Sequence, residues 1–370
     1  MSEIALVRNM EVSRTPEVSF LNSDSKGNLI TVIATWNTAD PPPGDSTLNG
    51  VTSFNADGTK KWHFSIAPTF VVHEAHVDSN DNVLFVTSIP EADPEAERLG
   101  VLWKLSSTGQ LLWKTSFTLL YWQACALFFE DAGSDAPTCV LSYPPSIQRF
   151  TEEGRVDGDA IALPGWPGWT AERGSVSQPT PVRDGFYLFG SLTLENATLE
   201  DVVVAFVDRQ LETTWRHDIP HRGGVRSGLT ASGDIVVTWG SENTEPDGIH
   251  LRAYNTAGME LWNAYDPDFN RFASPDALMI DRVGNIIVAG NAYVSGVNAA
   301  GEDEYRSDIF VVSYAPDGRR TAFAEWGSWD NLDAVVSVAL GGKDALFVLG
   351  DSDNNKGSYV GWILEYALTR

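Results

Sequence analysis

One unit recurs along this chain at a spacing few folds can accommodate. It consists of a tight Asp/Asn/Gly turn, an apolar run, a longer polar loop, an alternating strand, a glycine turn and a strand carrying tryptophan. The alternating strand and its turn read Gly50 to Gly58, Val101 to Gly109, Leu251 to Gly258 and Ile309 to Gly318. Trp62, Trp113 and Trp262 each stand four residues beyond the turn glycine. Trp215 holds the same place after a degenerate turn, Asp208-Arg209-Gln210-Leu211, and Glu152-Glu153-Gly154 completes the series. The turns at 58, 109, 154, 211, 258 and 318 step by 51, 45, 57, 47 and 60 residues, about the period of four-stranded propeller blades.

The turn that opens each unit is equally regular: Asp24 to Asn28, Asp78 to Asn82, Ala231 to Asp234, Asp281 to Asn285 and Gly341 to Asp344. Gly, Asn and Asp tolerate the positive φ angles that tight hairpins demand. Each turn leads into a β-rich run with no competing helical period. The last unit supplies three strands and stops where a fourth should begin, while residues 4–12 form an orphan strand ahead of the first unit. Pairing the chain ends leaves no open sheet edge there. The expected architecture is therefore all-β: a single seven-bladed β-propeller of four-stranded antiparallel blades, one domain over residues 1–370, with residues 4–12 completing the C-terminal blade. Six or eight blades stay open as alternatives, because the unit over 119–164 is degenerate.

Composition narrows the partners. The chain has 25 Lys+Arg against 50 Asp+Glu, a formal charge of −25, and is 43% hydrophobic. That supports a packed core and argues against disorder. So acidic a surface repels phosphate backbones and anionic headgroups, so no nucleic-acid partner and no membrane insertion are expected. The apolar runs 125–129 and 286–289 fall far short of the ~20 residues that span a bilayer. Met1 to Arg8 lacks the pattern of a secretory signal, so the expectation is a cytoplasmic protein, or an extracellular or periplasmic one if a leader has been removed. Two cysteines, Cys125 and Cys139, are too few for a disulfide framework. They fall on two paired strands of one hairpin, so a bridge is conceivable, although two buried small hydrophobes is the better reading.

Asp281 to Gly290 and Asp308 to Gly318 carry Asp-x-x-Gly-Asn, an Ile/Val-rich strand ending in Ala-Gly, and Asp-Ile-Phe-Val-Val-x-Tyr-x-x-Asp-Gly. This pattern resembles bacterial propeller repeats of the SBBP and delta-60 kind, and the Gly-x-x-x-Trp strands resemble PQQ-like repeats. The resemblance covers essentially the whole chain and implies the fold and a bacterial, slightly favoured exported origin. It implies no defined activity, and quinone binding does not carry over, so no cofactor is expected.

In an up-and-down blade, the first-to-second and third-to-fourth strand turns lie on one face. The second-to-third loops and the blade linkers lie on the other. The first face here carries short turns; the second carries the long loops 36–50, 88–100, 240–248 and 291–308 and the linkers 164–178 and 266–276. A site is expected on the second face, around a central channel, because long loops on a rigid scaffold are where binding usually lives. Its candidates are Trp122, Trp166, Trp169 and Trp329 in linkers, Trp36 and Trp239 at the ends of second strands, and the cations Arg173, Arg222, Arg226 and Arg271, with His221 beside them. Together they suit a pocket that stacks a planar or sugar ring and clamps an anionic group.

Metal chemistry has weaker support. His73 and His76 lie three apart on a first strand, His217 and His221 bracket a linker, and a site with Glu74 would need three converging ligands. No metal site is expected. Asp351 to Gly357 spaces oxygen ligands as a calcium loop does, but Lys356 replaces the usual glycine and the closing Glu is missing. Acidic stretches 91–97 and 302–304 read as solvated charge, and Asn196-Ala197-Thr198 as a chance glycosylation match, while paired carboxylates such as Asp330 and Asp333 lie near the proposed face but are expected by accident in a chain with 50 acids. No nucleophile elbow, zincin motif or phosphate loop is present. The reading that results is a non-catalytic, lectin-like binding propeller for a small molecule, a carbohydrate or a protein. The alternative is a lyase or hydrolase, metal-dependent or not, using channel His and Arg residues.

Overall fold

A computed structural model describes residues 3–13, 18–33, 50–67, 70–88, 98–119, 125–129, 135–142, 145–163, 180–182, 184–193, 200–219, 225–240, 248–269, 273–297, 303–327, 332–341, 345–353 and 359–369. The protein is a seven-bladed β-propeller of four-stranded antiparallel blades. β1 is Glu3–Ser13. The first blade is β2 (Val18–Ser23), β3 (Leu29–Ile33), β4 (Gly50–Phe54) and β5 (Lys60–Ser65). The second is β6 (Val71–Val77), β7 (Val83–Ser88), β8 (Arg98–Leu105) and β9 (Leu111–Leu119). The third is β10 (Cys125–Phe129), β11 (Pro137–Ser142), β12 (Pro145–Arg149) and β13 (Ile161–Ala162). The fourth is β14 (Thr180–Val182), β15 (Gly185–Thr193), β16 (Glu200–Asp208) and β17 (Thr213–Ile219). The fifth is β18 (Arg226–Leu229), β19 (Ile235–Gly240), β20 (Ile249–Tyr254) and β21 (Glu260–Asp266). The sixth is β22 (Ala273–Ile280), β23 (Ile286–Val297), β24 (Asp303–Tyr314) and β25 (Arg320–Trp326). The seventh is β26 (Leu332–Leu340), β27 (Ala345–Asp353) and β28 (Tyr359–Thr369), completed by β1. By proximity the chain divides into two compact units, residues 1–27, 223–255 and 259–370 in one, and 28–222 with 256–258 in the other.

The expected closure is present in the seventh blade. β1 runs antiparallel to β28 from Glu3↔Thr369 to Ser13↔Gly361, and Arg8 forms an ion pair with Glu365 across it. Ile4 is buried in the same apolar cluster as Leu346, Val348, Leu364 and Tyr366. One loop differs from expectation. Within 291–308, residues 293–297 keep register with 303–307, so β23 and β24 pair along their full described length as one long hairpin.

The hairpins turn in one way. In Asp281 to Asn285 the Gly284 N–H donates to the Asp281 carbonyl, the Asp281 N–H donates to Asn285, and the Asp281 carboxylate accepts from the Val283 and Asn285 N–H groups. Asp78 and Asp208 close their turns in the same way, and Ser106 uses its hydroxyl. The residue three after the capping position takes positive φ, so glycine recurs there. Where the turn joins third and fourth strands, a register shift follows, as expected of a glycine bulge.

These third-to-fourth strand turns also explain the tryptophans, since each indole docks on the turn of the next blade. A methyl built on Gly109 would stand 2.6 Å from the Trp62 ring, one on Gly258 2.7 Å from Trp215, and one on Gly318 2.9 Å from Trp262. Gly154 is covered by Trp113 in the same way. The Trp62 and Trp215 Nε1–H groups donate to the carbonyls of Ser107 and Thr256, each two residues before the turn glycine. Two positions beyond the Trp, Thr115 and His217 hydrogen-bond to the carbonyls of Gly154 and Gly258.

The two degenerate copies are the two halves of one missing contact. Four residues beyond Gly154 stands Gly158, and a methyl there would meet nothing within 4 Å. The turn of the next blade, which would have received an indole, holds Leu211 instead. Leu211 accepts a φ of 66° and is buried in the cluster containing Ile147 and Leu163 of the third blade. Ala322 occupies the tryptophan position of the sixth blade, and the seventh blade has no third-to-fourth turn to receive a ring, because β28 and β1 are chain ends.

Two outcomes are expected in thermal melts. Removing residues 3–13 exposes β28 and should lower Tm by at least ~10 °C; an unchanged melt refutes closure by pairing. Trp62→Ala should cost about 3 kcal/mol. Gly109→Ala should cost more than Gly158→Ala, since both strain a positive φ but only the former also meets a ring.

Candidate functional site

The described part of the expected site lies where the inner strands of the fifth, sixth and seventh blades begin. Arg226 is the first residue of β18, directly after the blade linker. Asp276 is an extra residue in β22: the pairing with β23 skips from Pro275 to Ala277, so a β-bulge re-aims the Asp276 side chain. The Arg226 Nε–H donates to the Asp276 backbone carbonyl and Nη1 to that of Val225, while Nη2 stands 3.8 Å from Asp276 Oδ1. The carboxylate itself accepts from neutral donors, Ser274 Oγ at 3.2 Å and Asn291 Nδ2 at 2.8 Å. Asn291 in turn accepts the Val335 N–H through Oδ1 and so carries the network to β26.

Electrostatically this node is poised. Burial pushes the Asp276 carboxyl up to about 6, against the opposing pull of Arg226 and the Ser274 hydrogen bond. Burial also lowers the Arg226 guanidinium from its usual range, which Asp276 counters. Both side chains remain partly accessible, 26% and 20% exposed. A cation held by backbone carbonyls, beside a carboxylate too distant for a good hydrogen bond, suits an oxygen-rich ligand.

The second blade repeats the bulge. β6 skips from Val72 to Glu74, so His73 is the extra residue, and its Nε2 lies 2.8 Å from Ser88 Oγ at the end of β7. Asp276 and His73 each stand five residues before the Asp that opens the following turn, Asp281 and Asp78. Sequence reasoning missed Asp276, although this fixed offset was present in the sequence.

Glu74 and His76 share one side of β6, with His76 Nε2 3.9 Å from Glu74 Oε1. His76 hydrogen-bonds to the Leu127 carbonyl and meets the Phe129 ring edge-on. Burial drives its pKa down to about 4, only partly offset by that hydrogen bond. Cys125 and Cys139 are both free and buried, two positions out of register on β10 and β11. Burial, the neighbouring Cys139 and the Glu74 charge raise the Cys125 thiol well above its ordinary range. Among the described residues, no three His, Cys, Asp or Glu side chains converge as metal ligands.

Of the other expected site residues, Trp239 is buried at 1% exposure, stacked on His250 with ring centroids 5.3 Å apart and with Arg252 5.3 Å from its ring. It therefore packs within its own blade. Trp36, Trp122, Trp166, Trp169, Arg173, His221, Arg222, Arg271, Trp329 and Asp330 lie outside the described residues, as do the acidic loop 91–97, Asn196 and most of the calcium-like segment. No helix among the described residues is long and apolar enough to cross a membrane.

No family model and no curated protein matches this sequence. Among solved structures the chain is similar to the Dos1 propeller, at 8% identity and a TM-score of 0.54 over 98% of this chain and 95% of that one. It is also similar to a structure described as the extracellular domain of a hybrid two-component system from B. thetaiotaomicron, at 11% identity and a TM-score of 0.51, covering 95% of this chain and 39% of that one. A protein of unknown function from Dyadobacter fermentans aligns over 99% of both chains at 11% identity and a TM-score of 0.47. At these identities the likeness bears on fold alone. The class is the seven-bladed β-propeller, and the resemblance to SBBP-type repeats is matched by no family model.

His76 gives a signed expectation. Its depressed pKa means that the neutral imidazole supports the fold above about pH 6.5, and this support is lost as pH falls through about 4. His76→Asn should flatten the acid side of a Tm-versus-pH curve; an unaltered slope there counts against a buried neutral imidazole.

Proposed function

We propose that this chain acts as one non-catalytic binding module over residues 1–370. It presents a small ligand, carbohydrate before protein, on the face that carries the second-to-third strand loops. The observation that carries this reading is the Arg226, Asp276, Asn291 and Ser274 node at the loop-bearing end of the inner strands, where a bulge turns an acid toward a fixed guanidinium. Bulges recur beside binding sites because they re-aim a side chain without disturbing the sheet. Paired Arg, Asp and Asn groups match the alternating donors and acceptors of sugar hydroxyls. Trp122, Trp166, Trp169 and Trp329, with Arg173, His221, Arg222 and Arg271, are the proposed surround of that node. The catalytic alternative, which would use His73, His76 and His221, draws less support, since His73 is hydrogen-bonded to Ser88 and His76 to the Leu127 carbonyl. Repeats of the SBBP and delta-60 kind remain the family this propeller resembles.

A glycan array probed with the wild type and Arg226→Gln, with the melts of both compared, tests the proposal. The expected result is a defined glycan class bound by the wild type and weakened at least about tenfold in the variant at unchanged Tm. Equal binding by both proteins removes Arg226 from the site, and a wild type that captures no glycan overturns the carbohydrate reading.

A further inference from the structure

The first blade carries a row of polar side chains at a level where the sixth blade is apolar. Thr31 on β3 pairs with Thr52 on β4, and Thr52 pairs with His63 on β5, so the three stand in line on one face of the sheet. In the sixth blade the corresponding row is Val288, Val312 and Phe323. Leu29 and Ile33, two residues either side of Thr31, share its face and are buried with it, which keeps bulk water away from the row.

Within the row one hydrogen bond is made, Thr52 Oγ1 and His63 Nδ1 standing 2.8 Å apart. Thr31 Oγ1 and His63 Nε2 are buried and have no hydrogen-bond partner in the protein, and Thr31 as a whole is 0% exposed. Leaving both atoms unmet would cost more than the one bond returns. Burial, and the Lys60 charge after it, lower the His63 pKa and so keep its ring neutral. A hydroxyl and a neutral imidazole nitrogen each call for a partner that donates or accepts, and water does both. With no charge in the row, nothing there selects an ion.

We propose that one buried water bridges Thr31 Oγ1 and His63 Nε2 and so joins the second, third and fourth strands of the first blade across Thr52. Directly opposed residues of antiparallel strands lie about 5 Å apart, so the outer members of the row are about 10 Å apart at the backbone. The imidazole, held at Thr52, covers part of that distance, and a water whose two hydrogen bonds reach about 5.5 Å end to end spans the rest. Tyr366 supplies the contrast. Its hydroxyl is also buried without a partner, but it belongs to the cluster of Ile4, Leu346, Val348 and Leu364. A water there would find one polar partner, whereas buried waters need two to four, so that site stays dry. The row in the first blade offers three such atoms, on Thr31, Thr52 and His63.

The test is a crystal structure of the full chain at a resolution that shows ordered water, together with thermal melts of Thr31→Val and Tyr366→Phe. The expected density is one ordered molecule within about 3.2 Å of both Thr31 Oγ1 and His63 Nε2. Thr31→Val removes one anchor of that water and leaves His63 less well met, so Tm should fall by about 1–3 °C. Tyr366→Phe removes a hydroxyl that bonds to nothing, so its Tm should hold or rise. Density that reaches only one of the two atoms, or none, overturns the bridge, and so does a Thr31→Val melt at or above that of the wild type. A fall in Tm for Tyr366→Phe overturns the division into a hydrated and a dry site, because it reveals a bond to that hydroxyl. Should Thr31→Val fold poorly, the density in the wild type decides alone.

Discussion

The contact on which this architecture leans is an indole ring set on a bare glycine. A turn glycine serves two purposes: it takes a positive φ that closes the hairpin, and it leaves no Cβ in the path of the ring from the preceding blade. Trp62, Trp113, Trp215 and Trp262 exploit that vacancy, and indole N–H groups then satisfy carbonyls at the turn that would otherwise face an apolar ring. The same few atoms thus settle the bend of one blade and the seating of its neighbour. The aliphatic clusters between blades, such as the one joining Val236, Leu251, Val288 and Val312, complete the packing that this contact positions.

Seen this way, the irregular blades follow the same rule. A blade without a tryptophan needs no glycine after it, which is why Gly158 and Leu211 are compatible in successive blades, and why Ala322 faces no turn. Leu211 shows the energetic trade. A non-glycine residue at φ 66° carries strain on the order of 1 kcal/mol, and burial of a leucine side chain, worth roughly 2 kcal/mol, exceeds it.

The architecture was legible in the sequence because the turn chemistry is periodic. Asp, Asn and Gly at fixed offsets, and Trp four residues on, are covalent facts that survive without coordinates. The closing strand was legible too, since the first residues had no partner and the last blade lacked one. The node at Arg226 was only half legible. Arg226 stood out as a cation in an acidic chain, but Asp276 did not, because among 50 acids only its five-residue offset from Asp281, shared by His73 and Asp78, marks it. What singles it out is the bulge, and a one-residue slip in pairing is a property of two strands together. Trp239 illustrates the opposite difficulty. An indole at a strand end looks available to a ligand, and only the cross-strand His250 and Arg252 reveal that it packs within the sheet.

The pairing of β1 with β28 has a meaning for the chain as it is made. Arg8 and Glu365 are separated by 357 residues, so at ordinary elongation rates the first strand emerges roughly 20 to 70 s before its partner exists. For that interval the ribosome-bound protein carries a β-strand with its hydrogen-bonding edge unmet, in a cell crowded with other unfinished chains. The charge that Arg8 carries on that strand is of the kind that discourages a neighbour from pairing with it before its own last strand arrives.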